Sequence, residues 1–267
     1  MPFIDVAGRV RLYYESWGSG PPVVFVHVLS MNHRLWDNQV LAVADRYKAV
    51  VYDQRGHGLS EKPDYPYSIE TYADDLGAVL AGLGLENTTV VGWSIGSWAS
   101  LDYAHRNGER VSRLVLVGAS PRLLPAPDWT HAISREDFER FLGRLAEDRA
   151  TATYDFYKGL LAPGASNHLL EWIDRTSLEM PLRAFLQSAE SVVYADKRAI
   201  LPEIKMPTLV LNGKHDVACP SGAGQYVAAT MVQARLVTFE RSGHFPNLEE
   251  PRAFNAELLR FLEEESV

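Results

Sequence analysis

Val90-Val91-Gly92-Trp93-Ser94-Ile95-Gly96 is the stretch whose reading decides the fold. A β-branched apolar run enters Gly-x-Ser-x-Gly, and the ten residues from Ile95 to Ala104 then read as a helix. A strand that turns into a helix at one serine needs small flanking residues, because the backbones come close there. The same turn leaves the serine hydroxyl standing above the sheet. The alternative is that Ser94 only caps the helix beginning at Ile95, since serine is a favoured N-cap. Partners further along the chain favour a nucleophile.

On either side of this stretch lie short continuous apolar runs at residues 23–28, 49–53, 114–118, 208–212 and 236–239. Such runs suit strands buried on both faces of a parallel sheet. Segments with apolar residues three and four apart, near 35–46, 71–84, 95–107, 221–231 and 251–264, read as the helices between them. Residues 2–17 alternate instead, and predict an opening antiparallel hairpin broken at Ala7-Gly8. The sum is an α/β protein with a doubly wound, mostly parallel sheet.

The alternation stops once. Between Ser120 and Asp196 no convincing strand pattern occurs, and three or four amphipathic helices are predicted, near 134–148, 150–161, 167–177 and 181–194. This stretch of roughly 75 residues is longer than one crossover needs. It follows the sixth strand, on the side where a lid would cover a site at the strand tips. The expected organisation is a core in two parts, 1–119 and 196–267, with a helical lid at 120–195.

With 46% hydrophobic residues in 267, the chain can bury a large core. A net charge of −8 gives no support for a nucleic-acid partner and makes a small neutral or apolar substrate the simpler expectation. The single cysteine, Cys219, excludes an internal disulfide, and no Cys/His cluster has metal-ligand spacing. No signal-peptide pattern, membrane-spanning run or cofactor motif occurs, so the expected setting is cytoplasmic, with neither membrane nor cofactor.

A serine hydroxyl is a poor nucleophile at neutral pH. It needs a base, and the base needs an acid to fix its tautomer. In an elbow of this kind the chain order is serine, acid, histidine. Asp216 lies just beyond the run at 208–212, and His244 just beyond the run at 236–239, both at strand ends on the edge that carries Ser94. Ser94, Asp216 and His244 are therefore the candidate catalytic residues. Taken singly, Asp216 also reads as a surface loop aspartate and His244 as a structural histidine. His215 would point away from its neighbour Asp216, and His33, His57, His105, His131 and His168 have no matching acid. The elbow also offers the Ile95 backbone N–H to a developing oxyanion.

His27 with Trp36, the run from Asp53 to Ser60 (DQRGHGLS), Gly92-Trp-Ser-Ile-Gly96, Asp216 and Gly243-His-Phe-Pro246 together resemble the α/β-hydrolase superfamily across essentially the whole chain. The resemblance implies a serine hydrolase whose second oxyanion donor is the N–H of Leu29. It also implies that residues 53–60 form a structural loop beside the pocket. The Gly-Trp-Ser elbow, Gly118-Ala-Ser-Pro-Arg122 and Asp128-Trp129 resemble the pimeloyl-acyl carrier protein methyl ester esterases. The run from Tyr13 to Gly20 and Tyr72-Ala-Asp-Asp-Leu76 are more similar to bacterial aryl esterases and perhydrolases. The reaction class carries over from both groups, whereas an acyl carrier protein partner follows from only one. Arg135, Arg140, Arg144 and Arg149 are interleaved with acidic residues, which reads as a solvated helix face. Serine at the elbow argues against haloalkane dehalogenases and epoxide hydrolases, which carry aspartate there.

Two departures from the family pattern stand out: Val28 follows the strand-ending histidine, and Ser97 follows the elbow, where glycine is usual. Val28 either reshapes the donor loop, because β-branched residues disfavour positive φ, or narrows the acyl pocket. Trp93, Trp98 and Leu29 are expected pocket walls, joined by lid residues Phe138, Phe141, Tyr154, Phe156, Tyr157 and Trp172. The function expected is hydrolysis of a small carboxylic ester, lactone or thioester-linked acyl ester through an acyl-enzyme. The alternatives are a slow ligand-binding signalling hydrolase, and an acyl-transferring, cyclising or perhydrolase variant using the same serine.

Overall fold

Strand side chains alternate between two packed faces, and this alternation organises the molecule. The computed structural model describes residues 2–7 and 10–264. Strands β1 (Phe3–Val6), β2 (Val10–Trp17), β3 (Pro22–Val26), β4 (Lys48–Tyr52), β5 (Thr88–Trp93), β6 (Val111–Val117), β7 (Thr208–Gly213) and β8 (Ala234–Phe239) form one sheet. Their order is β1-β2-β4-β3-β5-β6-β7-β8. β1 and β2 pair antiparallel, as expected of the opening hairpin, whose break at Gly8 lies outside the described residues; β2 is also antiparallel to β4, and every other neighbour pair is parallel.

Val23, Phe25, Val51, Val91, Trp93, Val115, Val117, Leu209 and Leu211 pack against α1 (Asp37–Val43) and α10 (Pro251–Glu263). The residues between them, including Val24, Val26, Val50, Val90, Leu114, Leu116 and Val210, face α2 (Ile69–Gly82), α3 (Ile95–Arg106) and α8 (Ser221–Thr230). Both faces are therefore covered, which is why these strands read as unbroken apolar runs. Each side chain so buried contributes roughly 1.5–3 kcal/mol relative to exposure. From β3 the chain first moves to β4 on one side and then to β5 on the other. The loops after β3 and β5 consequently diverge and open a crevice at the carboxyl edge of the sheet.

Between β6 and β7 come α4 (Arg135–Glu147), α5 (Arg149–Leu160), α6 (Asn167–Ser177) and α7 (Leu182–Val193). Ser134 Oγ accepts the Asp137 N–H at 3.2 Å to start α4, and Asp148 Oδ1 accepts the Thr151 N–H at 3.1 Å to start α5. Leu145, Ala152, Ala184, Phe185, Ala189 and Val192 of these helices pack with Ile95, Trp98 and Ala99 of α3, so the insert sits above the start of α3. Its two ends meet: the Lys197 N–H donates to the Pro121 carbonyl at 2.8 Å, and Arg122 pairs with Asp196 at 2.8 Å. Among the described residues no helix is long and apolar enough to cross a membrane.

Candidate active site

Ser94 joins β5 to α3 with φ 54° and ψ −116°. Positive φ is disfavoured for a residue with a Cβ, and holding it costs about 1–3 kcal/mol. Neighbouring bonds supply the constraint. The Ser94 N–H donates to the Val117 carbonyl at 2.8 Å, and the Trp98 N–H donates to the Ser94 carbonyl at 3.1 Å. A Cβ on Gly92 would lie 2.4 Å from the Gly96 carbonyl oxygen, and one on Gly96 would lie 2.4 Å from that of Val26. Only glycine fits at either place. Ser97, the departure noted above, staples the turn: its Oγ accepts the Val117 N–H (3.1 Å) and lies within donating distance of the Gly92 (2.7 Å) and Val117 (2.9 Å) carbonyls. Ser94 itself makes no side-chain capping bond, so the capping alternative fails.

Asp216 lies in the loop after β7 and His244 in the loop after β8, 2.7 Å apart between Oδ2 and Nδ1. Oδ1 of Asp216 is occupied by the N–H groups of Ala218 (2.9 Å) and Cys219 (2.8 Å). Because the carboxylate accepts, the ring proton belongs on Nδ1, leaving the Nε2 lone pair free to take a proton. The histidine loop is tightly held. The His244 N–H donates to the Leu160 carbonyl at 2.8 Å, and the Trp93 indole N–H donates to the His244 carbonyl at 2.9 Å. Glu249 accepts the N–H groups of Ala162 (2.7 Å), Gly243 (2.8 Å) and Phe245 (3.2 Å). Burial raises the pKa of its carboxyl while those three N–H groups oppose the shift.

Ser94 and His244 line one cavity of about 570 Å³. Among the described residues no hydrogen bond joins the Ser94 hydroxyl to the imidazole; such bonds commonly tighten only as substrate is bound. The same cavity is lined by Leu29 and Ile95. Ile95 opens α3, so its N–H has no carbonyl four residues back to bind. The Leu29 N–H, in a turn closed by Met31 N–H to Val28 carbonyl at 3.3 Å, likewise has no partner among the described residues. The positive φ of that turn falls on Ser30, at 58°, and not on Val28. Val28 therefore carries no positive φ of its own, and it lines the cavity wall. Two free donors, a strained serine and a histidine–carboxylate pair at one cavity can together support nucleophilic attack on a carbonyl.

Residues 21–251 match the family model described as the alpha/beta hydrolase fold. The chain belongs to that family. A non-heme haloperoxidase of Rhodococcus erythropolis is 30% identical, over 98% of this chain and 100% of the relative. A pimeloyl-[acyl-carrier protein] methyl ester esterase of Nitrosomonas europaea is 29% identical, over 91% of this chain and 96% of its own length. Among solved structures, an esterase from Exiguobacterium antarcticum superposes with a TM-score of 0.94 at 28% identity, covering 98% of this chain and 99% of that one. The eight-stranded, mostly parallel sheet is that of the alpha/beta hydrolase fold, and hydrolase chemistry is the coarse function that the family and these relatives support.

In this hydrolase the cavity walls include Val28, Trp98, Phe138, Phe141, Phe156 and Tyr157. Three expected wall residues lie elsewhere. Trp93 is fully buried beneath the sheet, edge-on to Trp36 and Phe245, because it precedes the elbow and its side chain falls on the opposite face. Tyr154 and Trp172 are about two-fifths exposed. Helix α5 buries Thr153, Tyr157 and Leu160, and α6 buries Leu170 and Ile173, which turns Tyr154 and Trp172 outward. Phe185, Ala189 and Val192 of α7 join the wall unannounced, although their spacing is a helical stripe. Cys219 also lines the cavity; burial pushes its thiol pKa well above the ordinary value.

Beneath the donor turn, His27 Nε2 accepts the Gln54 N–H at 3.0 Å, so its Nδ1 donates to the Val28 carbonyl at 2.8 Å. Burial pushes this imidazole down to about 4, and that of the neighbouring His57 down to about 3. Both stay neutral in the folded protein, whereas in the unfolded chain they protonate below about 6.5. The unfolded state then binds more protons, so stability present above that pH is lost as pH falls toward the folded values. Each pH unit in the window costs about 1.4 kcal/mol per histidine. Thermal melts from pH 7 to pH 4 should show a steadily falling melting temperature; a flat profile would contradict neutral, buried rings.

Proposed function

We propose that the protein is a serine hydrolase of small, uncharged carboxylic esters, working through an acyl-enzyme beneath a lid formed by residues 120–195. The observation that carries this reading is Ser94, held at positive φ on the cavity that His244 lines with Asp216 2.7 Å behind it. His244 Nε2 takes the Ser94 proton as Oγ attacks the carbonyl carbon. The negative charge moves to the carbonyl oxygen, facing the N–H groups of Leu29 and Ile95. Collapse of the tetrahedral species expels the alcohol, which receives the proton from His244, and water then releases the acid by the same steps.

The walls support an uncharged substrate. Phenylalanines 138, 141, 156 and 185 dominate them, and among the described residues no lysine or arginine lines the cavity. Asp137 and Asp155 at its edge are each paired with an arginine, Arg140 and Arg144. A free carboxylate on the substrate would be desolvated there without a counter-ion. The same pairing occupies two of the arginines that a basic docking face for an acyl carrier protein would need. The test is a panel of short- and medium-chain aryl esters, methyl esters and lactones. Multiple turnover on neutral esters supports the reading. Labelling of the protein without product release would favour the signalling alternative and overturn it.

Val28→Gly tests the wall. It should extend activity toward bulkier acyl groups, leave the smallest ester within about threefold, and lower stability by roughly 1–3 kcal/mol through lost burial and a freer backbone. A uniform rise in turnover on every ester would mean that Val28 distorts the donor turn after all.

A further inference from the structure

We propose that Tyr157, on α5 of the helical insert, is a positioning residue for the oxyanion turn: its hydroxyl fixes Ser30 and thereby holds the Leu29 N–H in place. The inference rests on the serine hydrolase reading above. Residues 28–31 form a four-residue turn closed by the Met31 N–H on the Val28 carbonyl, with φ 58° at its third position. That combination marks a type II turn, which ordinarily asks for glycine or asparagine at the third position. A serine stays in so sparse a region only where its surroundings hold it there.

The hold is visible. Ser30 is buried, and its Oγ makes a short hydrogen bond with the Tyr157 hydroxyl, which also reaches the Leu29 carbonyl at 3.5 Å. Burial keeps the Tyr157 phenol well above its ordinary pKa, so the group remains a neutral hydroxyl. At the other end of the turn, the Val28 carbonyl is gripped by His27 Nδ1. The Leu29 N–H, unpaired among the described residues, lies between the two grips, and Leu29 lines the cavity. Without the Tyr157 hydroxyl, the turn is free to relax from the conformation that aims this donor.

Tyr157→Phe keeps the ring in the cavity wall and removes only the hydroxyl. Losing a whole oxyanion donor costs about 10²–10³ in turnover, so a loosened one should cost about tenfold in kcat, with KM changed less than about twofold. Phenylboronic acid, which forms a tetrahedral adduct on the serine, should bind about tenfold more weakly, while binding of the product acid stays as in wild type. Ser30→Ala should reproduce both losses, and carries the test alone if Tyr157→Phe does not fold. The double variant should be no worse than either single one, because the two hydroxyls act as a unit. Wild-type kcat and boronate affinity in both single variants, or losses that multiply in the double variant, would overturn the proposal. A lowered melting temperature without the split between kcat and KM would mean a purely structural contact, and overturns it too. If Ser94→Ala keeps its activity, the hydrolase reading falls; if Ser94→Ala is inactive while Tyr157→Phe and Ser30→Ala match wild type, only the Tyr157 role falls.

Discussion

Ser94→Ala should lower the turnover of every ester that the wild type cleaves by about 10⁴-fold or more, with the fold intact. The magnitude follows from what the change removes. Without Oγ no acyl-enzyme can form, and only donor and binding effects on attacking water remain. The same change should leave stability within about 0.5 kcal/mol, because the hydroxyl makes no capping bond and alanine keeps the same backbone penalty. Ser94→Gly separates the two consequences: equally inactive, it accepts φ 54° freely and should be more stable than wild type by about 1 kcal/mol. That would raise the melting temperature by roughly 2–4 °C for a chain of this size. Activity persisting in Ser94→Ala would assign the chemistry to another nucleophile. A Ser94→Gly protein less stable than wild type would mean that the elbow stores no strain.

Asp216→Asn should be nearly as damaging, at about 10⁴-fold in kcat, for a reason readable in the hydrogen bonds. Oδ1 accepts two backbone N–H groups, from Ala218 and Cys219, so the amide oxygen of an asparagine must take that position. Its NH₂ group is then directed at His244 Nδ1. The imidazole can meet a donor only by moving its proton to Nε2, the nitrogen that must accept from Ser94. Structure and stability are spared while the base is held in the wrong tautomer. Turnover in Asp216→Asn within tenfold of wild type would show that His244 does not depend on this carboxylate.

How much of this is legible without coordinates depends on how local each signal is. The elbow can be read because strand, serine and helix are contiguous, and Asp216 and His244 because each follows an apolar run that must end at the same sheet edge. The helices of the insert are legible from spacing and from caps such as Ser134. What resists reading is direction. Trp93 and Trp98 sit on either side of the same elbow, yet only Trp98 reaches the cavity, because strand alternation sends Trp93 under the sheet. Tyr154 and Tyr157 are one helical turn apart, but the faces of α5 assign one to solvent and the other to Ser30. Contacts between distant segments leave no mark in the sequence at all. The glutamate under the histidine loop, Glu249, and the tyrosine–serine bond across 127 positions emerge only when the insert is docked on the core.

The helical insert leaves the sheet and returns to it at neighbouring points, with Arg122 paired to Asp196 across the gap. An excursion whose ends are already joined adds little closure entropy, whatever its length. The insert proposed as a lid should therefore behave as an exchangeable cassette, subject to the docking contacts at Leu160 and Tyr157. Grafts from relatives cut at this seam can redraw the range of accepted molecules while the serine, histidine and aspartate stay on parts of the chain that the graft never touches.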